Sequence, residues 1–257
     1  MITMLIAAVL ATSPAANALA ARYPWRGDAA VAETIADRVP APAGFKRIAT
    51  EPGSFGEWLR GLPVKAAETP VRLYDGRPKW NQENHTAVID IDTGTRDLQQ
   101  CADAVMRLRA EYLLGAGRAR DIAFNYTDGK RHAFQGSAAN YKGFRRYMDR
   151  VFAYAGSYSL EREMAPSPLA AMQIGDVFIK GAFPGHAVLV VDMAASEATG
   201  DKRFLLMQSY MPAQDMHVLK NPKSTDSTPW YAIPAEGQEL VTPEWIFPAG
   251  TLRRFRD

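Results

Sequence analysis

The stretch that decides the fold is FPGHAVLVVDM, residues 183–193. Ala187 to Val191 is an unbroken apolar run, which reads as a buried strand. Gly185 leaves room for another group close to His186. The flanking segments have the same texture: IGDVFI, residues 174–179, before it and KRFLLMQSYM, residues 202–211, after it. If HAVLVVDM and KRFLLMQ pair antiparallel around a loop near Glu197, His186 falls opposite Gln208. Directly opposed residues hold their Cβ atoms roughly 5 Å apart on one face. A slip by one residue would turn the two side chains to opposite faces. Asp192 lies on the order of 20 Å along the strand from His186, too far to orient an imidazole. Asp176, on the preceding strand, falls at the same far end. Gln208 is therefore the local polar partner of His186.

Working outward, the longest helix is expected in DLQQCADAVMRLRAEYLLG, residues 97–115. Asp97 and Gln100 have the spacing of a capping box. Leu98, Cys101, Ala102, Val105, Leu108 and Tyr112 recur at helical spacing as one apolar stripe. Gly115 is the expected C-terminal stop, and Arg107 with Glu111 reads as a surface or interdomain i,i+4 pair. Shorter helices are expected at 31–38, at 53–65 with Ser54 as N-cap, and at 144–155. VRLYDG (71–76), HTAVIDID (85–92) and ARDIAFNYTDG (119–129) read as strands, 126–143 as a polar loop, and the tail as one or two short strands. Helix first and antiparallel strands later make the fold class α+β.

The chain has 257 residues, is 47% hydrophobic and carries a net charge of +2. That length buries a full core. Acids and bases are mixed without a basic stripe, so no nucleic-acid partner is expected. Nucleotide-binding glycine patterns are absent, and no cofactor is expected. The first twenty residues, MITMLIAAVLATSPAANALA, hold an apolar run too short to span a bilayer and end in Ala18-Leu19-Ala20. They read as a signal peptide cut after Ala20, although the segment has no Lys or Arg. The protein is thus expected to be exported, periplasmic or secreted, with no stable membrane insertion after cleavage. Residues 21–50 read as an N-terminal extension and linker, and 51–257 as a single α+β domain.

The one cysteine, Cys101, cannot form an internal disulfide and is either buried and inert or a thiol with a use. Thiol catalysis needs a thiolate, a histidine to move the proton, and a polar group to orient the ring. With Asp97 as cap, Cys101 is the fourth helical residue, where the helix dipole gives partial support and its own N–H is already drawn into the helix. Gln99 and Gln100 are the nearby amides for an oxyanion. His85, His132 and His217 add little, and no metal-ligand spacing links His186 with His217, so no metal is expected.

Cysteine on an early helix, histidine opening a buried strand and a polar residue on the next strand is an order similar to that of the papain-like cysteine hydrolases. IGDVFI…PGHAVLVVDM resembles the paired strands of the NlpC/P60 and CHAP amidases. CADAVMRLRAEYLLGAGRARDIAFNY, residues 101–126, resembles the transglutaminase-like proteins. The resemblance covers roughly Asp90 to Tyr210. It implies Cys101 as nucleophile, His186 as base and Gln208 as orienter, although Gln departs from the Asp or Asn usual there. VRLYDGRPK, DLQQCADAVMRLRAEYL, PGHAVLVVDMA, FLLMQSYMPAQDMHVLKNP and TPEWIF together resemble the bacterial domain-of-unknown-function family 4846, whose name implies no activity. Two functions follow as expectations. One is an exported thiol hydrolase or acyltransferase acting on amide bonds, with cell-wall peptide as target. The other is a catalytically inactive envelope protein of the same fold that binds peptide or glycan.

Overall fold

The computed structural model describes residues 22–27, 29–225 and 228–256. The signal-peptide reading of residues 1–20 lies outside them. In chain order the elements are α1 (Ile35–Arg38), β1 (Lys46–Arg47), α2 (Phe55–Arg60), β2 (His85–Val88) and α3 (Cys101–Gly115). Then come β3 (Ala123–Asn125), β4 (Arg131–Ala133), α4 (Tyr141–Tyr154), α5 (Ser157–Glu163), β5 (Ala165–Pro166), β6 (Val177–Lys180) and β7 (His186–Ala195). The chain closes with β8 (Lys202–Gln208), β9 (His217–Leu219), β10 (Tyr231–Ala232), β11 (Leu240–Val241), β12 (Ile246–Phe247) and β13 (Leu252–Arg254). The fold class is α+β. The main sheet runs β2-β9-β8-β7-β6-β13-β5, with β1 also on β7 and β10 on β8. Its pairings are antiparallel.

The central strand β7 is buried from His186 to Ala194, as an unbroken apolar run requires. Ala187, Leu189 and Val191 face the helical layer, while Val188 and Val190 face Phe178, Phe204, Phe247 and Leu252. A bulge between Val190 and Asp192 then reverses the alternation, sending Ala194 to the helical side and Met193 to the other. The β7–β8 register pairs Leu189 with Met207 and Val190 with Leu206. It is displaced by two residues from the register that opposes His186 and Gln208 directly. An even displacement keeps both side chains on one face, so they meet as diagonal neighbours.

Helix α3 ends at Gly115 as expected, but its start and its C-terminal cap differ from the expected ones. It begins at Cys101, not near Asp97. The Asp97 carboxylate is engaged elsewhere, accepting the Ala213 N–H at 2.6 Å and the Gln100 side-chain amide at 2.9 Å. Asp103 takes over the capping, accepting the Gln100 backbone N–H at 3.1 Å. At the other end, Gly117, not Gly115, adopts the left-handed conformation at φ 74°. The Arg118 N–H bonds Leu113 O at 2.8 Å and the Gly117 N–H bonds Leu114 O at 3.1 Å, a Schellman closure. Gly115 has a different use: a Cβ there would stand 2.8 Å from Arg22 O.

The helix is buried on all sides from Cys101 to Leu114, because β7, α2, α4, α5 and residues 24–26 surround it. The surface reading of Arg107 and Glu111 is therefore corrected: both are fully buried. VRLYDG is not a strand. Only single bridges form, Arg72 with Pro78 and Leu73 with Gln214, since Asp75-Gly76 turns the chain at once. The expected polar loop after Tyr126 hides a hairpin, β3 with β4, closed at Asp128-Gly129. The expected Ser54 cap on α2 forms, with the hydroxyl accepting the Glu57 N–H. The N-terminal segment packs into the core through Tyr23, Ile35 and Val39. Among the described residues no helix is long and apolar enough to cross a membrane.

Candidate functional site

His186 opens β7 and Gln208 closes β8, each about 1% exposed. The His186 Nε2 and Gln208 Oε1 atoms are 3.0 Å apart. The surrounding bonds settle which atom carries each proton. His217 Nδ1 lies 2.9 Å from the Asp215 carbonyl, which only accepts, so Nδ1 holds the proton and Nε2 is a lone pair. Gln208 Nε2 is 3.3 Å from that lone pair and donates to Glu244 Oε2 at 2.6 Å. The Gln208 NH₂ thus faces His217 and Glu244, and its oxygen faces His186. His186 must then donate from Nε2, which leaves Nδ1 as its basic nitrogen. Beyond Gln208, Glu244 Oε2 also accepts from Lys79 Nζ at 2.5 Å. Lys79 is 5% exposed, and burial is the chief reason its pKa is lowered.

Cys101 lies in the helical layer and meets β7 at the Ala187 backbone, whereas the His186 side chain shares the face of Val188 and Val190 with Phe247. Its segment is tied to the end of β8: Ser209 Oγ donates to Gln214 O at 2.8 Å and lies 3.3 Å from Gln99 O, while Asp97 holds Ala213. Cys101 is the first residue of α3, a position whose backbone N–H has no carbonyl partner within the helix. Backbone N–H groups of Ala102, Ala187 and Cys101 itself favour the thiolate. Burial outweighs them and, with the Asp103 carboxylate, pushes the thiol pKa up to about 11. Burial likewise lowers His186 to about 4, against the Gln208 bond and with the help of Lys79. At neutral pH the site therefore holds a neutral thiol and a neutral imidazole. Ala187, whose N–H acts on the sulfur, follows His186 directly. The Tyr210 ring lies 4.8 Å from the imidazole, and burial, Glu244 and then Cys101 raise its pKa.

Trp245 and Phe247 complete the wall around His186, with ring centres at 5.4 and 5.7 Å. The Gly185 position is as tight as expected: an added Cβ would collide with Ser157 Oγ and Ala182 O and stand 2.6 Å from Lys180 O. The chain next to these wall residues carries exposed apolar groups. Trp80 follows Lys79, Phe183 precedes the Pro184-Gly185 turn, Met211 follows Tyr210, and Ile246 lies between Trp245 and Phe247. Trp80 and Phe183 are 87% and 84% exposed.

The remaining polar residues weighed for the site are engaged elsewhere. Gln99 Oε1 accepts from Arg107 at 2.7 Å, and the Gln100 side chain bonds Asp97, so neither amide is aimed at the thiol. Asp192 binds Arg47 and Arg60, each at 2.7 Å, and Asp176 binds Arg254 at 2.6 Å. His132 stacks on Tyr126, and His85 lies edge-on to His217. Among the described residues no group of three or more His, Cys, Asp or Glu side chains converges as metal ligands. Reading the sequence missed Glu244, Lys79, Tyr210 and the true place of His217. Only His217 left a signal, since it pairs with Gln208 across β8 and β9. Lys79 and Glu244 stand in irregular segments with no period to mark them.

No curated protein and no solved structure matches the chain. A family model, Domain of unknown function (4846), matches residues 35–139 and 132–254, which take in Lys79, Cys101, His186, Gln208 and Glu244, and the chain belongs to that family.

Proposed function

We propose that the protein is an exported thiol hydrolase or acyltransferase with a papain-like core, acting on amide bonds such as those of cell-wall peptide. The observation that carries this reading is the bond from His186 Nε2 to Gln208 Oε1, at the strand end reached by the N-terminal Cys101 of α3. It leaves Nδ1 of His186 as the base. In the reaction, Nδ1 takes the thiol proton as sulfur bonds to the carbonyl carbon and the carbonyl π pair moves to oxygen. The Cys101 N–H, free of the helix ladder, is the donor for that oxygen. Collapse breaks the C–N bond, and Nδ1 passes the proton to the leaving amine. Water or an acceptor amine then resolves the thioester. Because both partners rest neutral, proton transfer accompanies attack rather than preceding it. The exposed Trp80, Phe183, Met211 and Ile246 supply an apolar rim for the substrate.

The test is the pH dependence of Cys101 alkylation in the folded protein. Reaction is expected in the native state, with a midpoint above the ordinary thiol value of about 8.5. It should slow in His186→Gln. A thiol that stays inert until the protein unfolds overturns the reading.

Burial of the thiol, 7% exposed, favours a second reading: an inactive envelope protein of the same fold that binds peptide or glycan. Muropeptide binding that is unchanged in Cys101→Ala, with no turnover in wild type, would select it.

A further inference from the structure

The network behind His186 does more than hold an amide in place. Gln208 is uncharged, so it offers an imidazolium only a dipole. Its amide nitrogen, however, donates to a carboxylate, and that carboxylate is shared with a buried ammonium. We infer that Glu244 is a positioning residue that acts on His186 through Gln208, with Lys79 as its counter-charge. The inference rests on the proposed role of His186 as the base. A chain of hydrogen bonds polarises along its length, so a negative charge on the NH₂ side of Gln208 increases the electron density at Oε1. The Nε2–H of His186 is then held more strongly, and the imidazolium formed during proton transfer is stabilised. Glu244 would supply at second hand the charge that a direct carboxylate partner gives elsewhere. Lys79 opposes it, both by neutralising Glu244 and by direct repulsion of the imidazolium.

The geometry supports a built relay. Lys79 Nζ, Glu244 Oε2, Gln208 Nε2, Gln208 Oε1 and His186 Nε2 follow in sequence at 2.5, 2.6 and 3.0 Å. The Lys79 and Glu244 side chains are 4% and 11% exposed, so water screens them little. The second amide hydrogen of Gln208 is taken up by His217, which prevents the amide from flipping. The other titratable groups near His186 are Tyr210, whose ring lies 4.8 Å away, and His217 on β9.

The experiment is nuclear magnetic resonance titration of the His186 imidazole in the full chain without substrate, assigned with His186→Gln. The wild type is expected to show the Nε2–H tautomer. Lys79→Met removes the opposing cation and should raise the imidazolium fraction at a given pH about tenfold, one unit in the midpoint. Glu244→Gln keeps the hydrogen bond but loses the charge and should lower that fraction by a similar factor. Glu244→Asp should restore most of it. Native circular dichroism selects the variants that fold, and the Lys79→Met arm stands alone if Glu244→Gln does not. Unchanged titration in the variants, or shifts of the same sign in Lys79→Met and Glu244→Gln, overturns the inference, because packing effects do not follow charge. The readout needs no turnover, so loss of the hydrolase reading leaves the relay standing or falling on its own result.

Discussion

Two buried histidines make the stability of this protein depend on acidity in a defined window. Burial holds His186 near 4 and His217 near 3, against 6.5 for a free imidazole. The unfolded chain therefore binds protons first as the pH falls. Their contribution is fully present above about 6.5, is lost as the pH drops through that value, and levels off below the folded pKa values. For His186 alone the span is worth about 3 kcal/mol. Asp103, Glu111 and Glu163 act in the other direction, because burial raises their carboxyl pKa values and the folded state gains protons first. The histidine effect is separated by difference. In urea unfolding, the stability of wild type relative to His186→Gln should fall by about 3 kcal/mol between pH 6.5 and 4. A difference that does not vary with pH would show that His186 is charged in the folded protein.

Strand pairing and helix limits were legible to different degrees, and the reasons are local. The β7 run is apolar throughout because both faces are covered, and no polar position interrupts the pattern. Its contact with Gln208 survived a two-residue register error because strand alternation has period two. The start of α3 lies beyond Asp97, which has the chemistry of a cap, because tertiary contact with Ala213 claims its carboxylate. The last residue of α3 is Gly115, as expected, but the left-handed cap falls on Gly117, since Gly115 and Gly117 are alike as stops in sequence and only the backbone distinguishes them. Gly117 has the positive φ, so Gly117→Ala should cost about 1–2 kcal/mol, and Gly117→Asn less. Thermal unfolding of the two variants checks the order. Asp192, which strand length already separates from His186, joins elements instead. It is fully buried between Arg47 of β1 and Arg60 of α2, at the bulge of β7. Asp192→Ala leaves two guanidinium groups without their acid and should destabilise by about 3–5 kcal/mol, read as a lower urea midpoint.

Across the molecule, the helical layer is organised around a charge that no sequence pattern places inside. Arg107 is fully buried in the middle of α3 and reaches four neighbours. It bonds Gln99 Oε1 and Asp92 Oδ2 at 2.7 Å and Glu111 Oε1 at 3.3 Å, and lies 3.4 Å from Tyr141 Oη. The Tyr141 hydroxyl in turn donates to Glu111 at 2.6 Å. The cluster thus connects α3, the segment after β2 that leads into α3, and the first residue of α4. An i,i+4 pair of this kind normally marks a solvent face, and the enclosing elements come from sequence positions too distant to reveal themselves by spacing. Asp92 is half exposed and keeps contact with water, whereas Glu111 is fully enclosed with one oxygen unpartnered. Removing Arg107 would therefore strand the Glu111 charge. Arg107→Met should cost about 3–5 kcal/mol in urea unfolding at pH 7. Burial already raises the Glu111 pKa with Arg107 present, so without it the carboxyl takes up a proton at still higher pH. The Arg107→Met protein should consequently recover stability relative to wild type as the pH falls from 7 toward 5, and Arg107→Met with Glu111→Gln should be more stable at pH 7 than Arg107→Met alone. If the double variant is no better than the single one, the cost lies in lost packing around the guanidinium and not in an uncompensated charge.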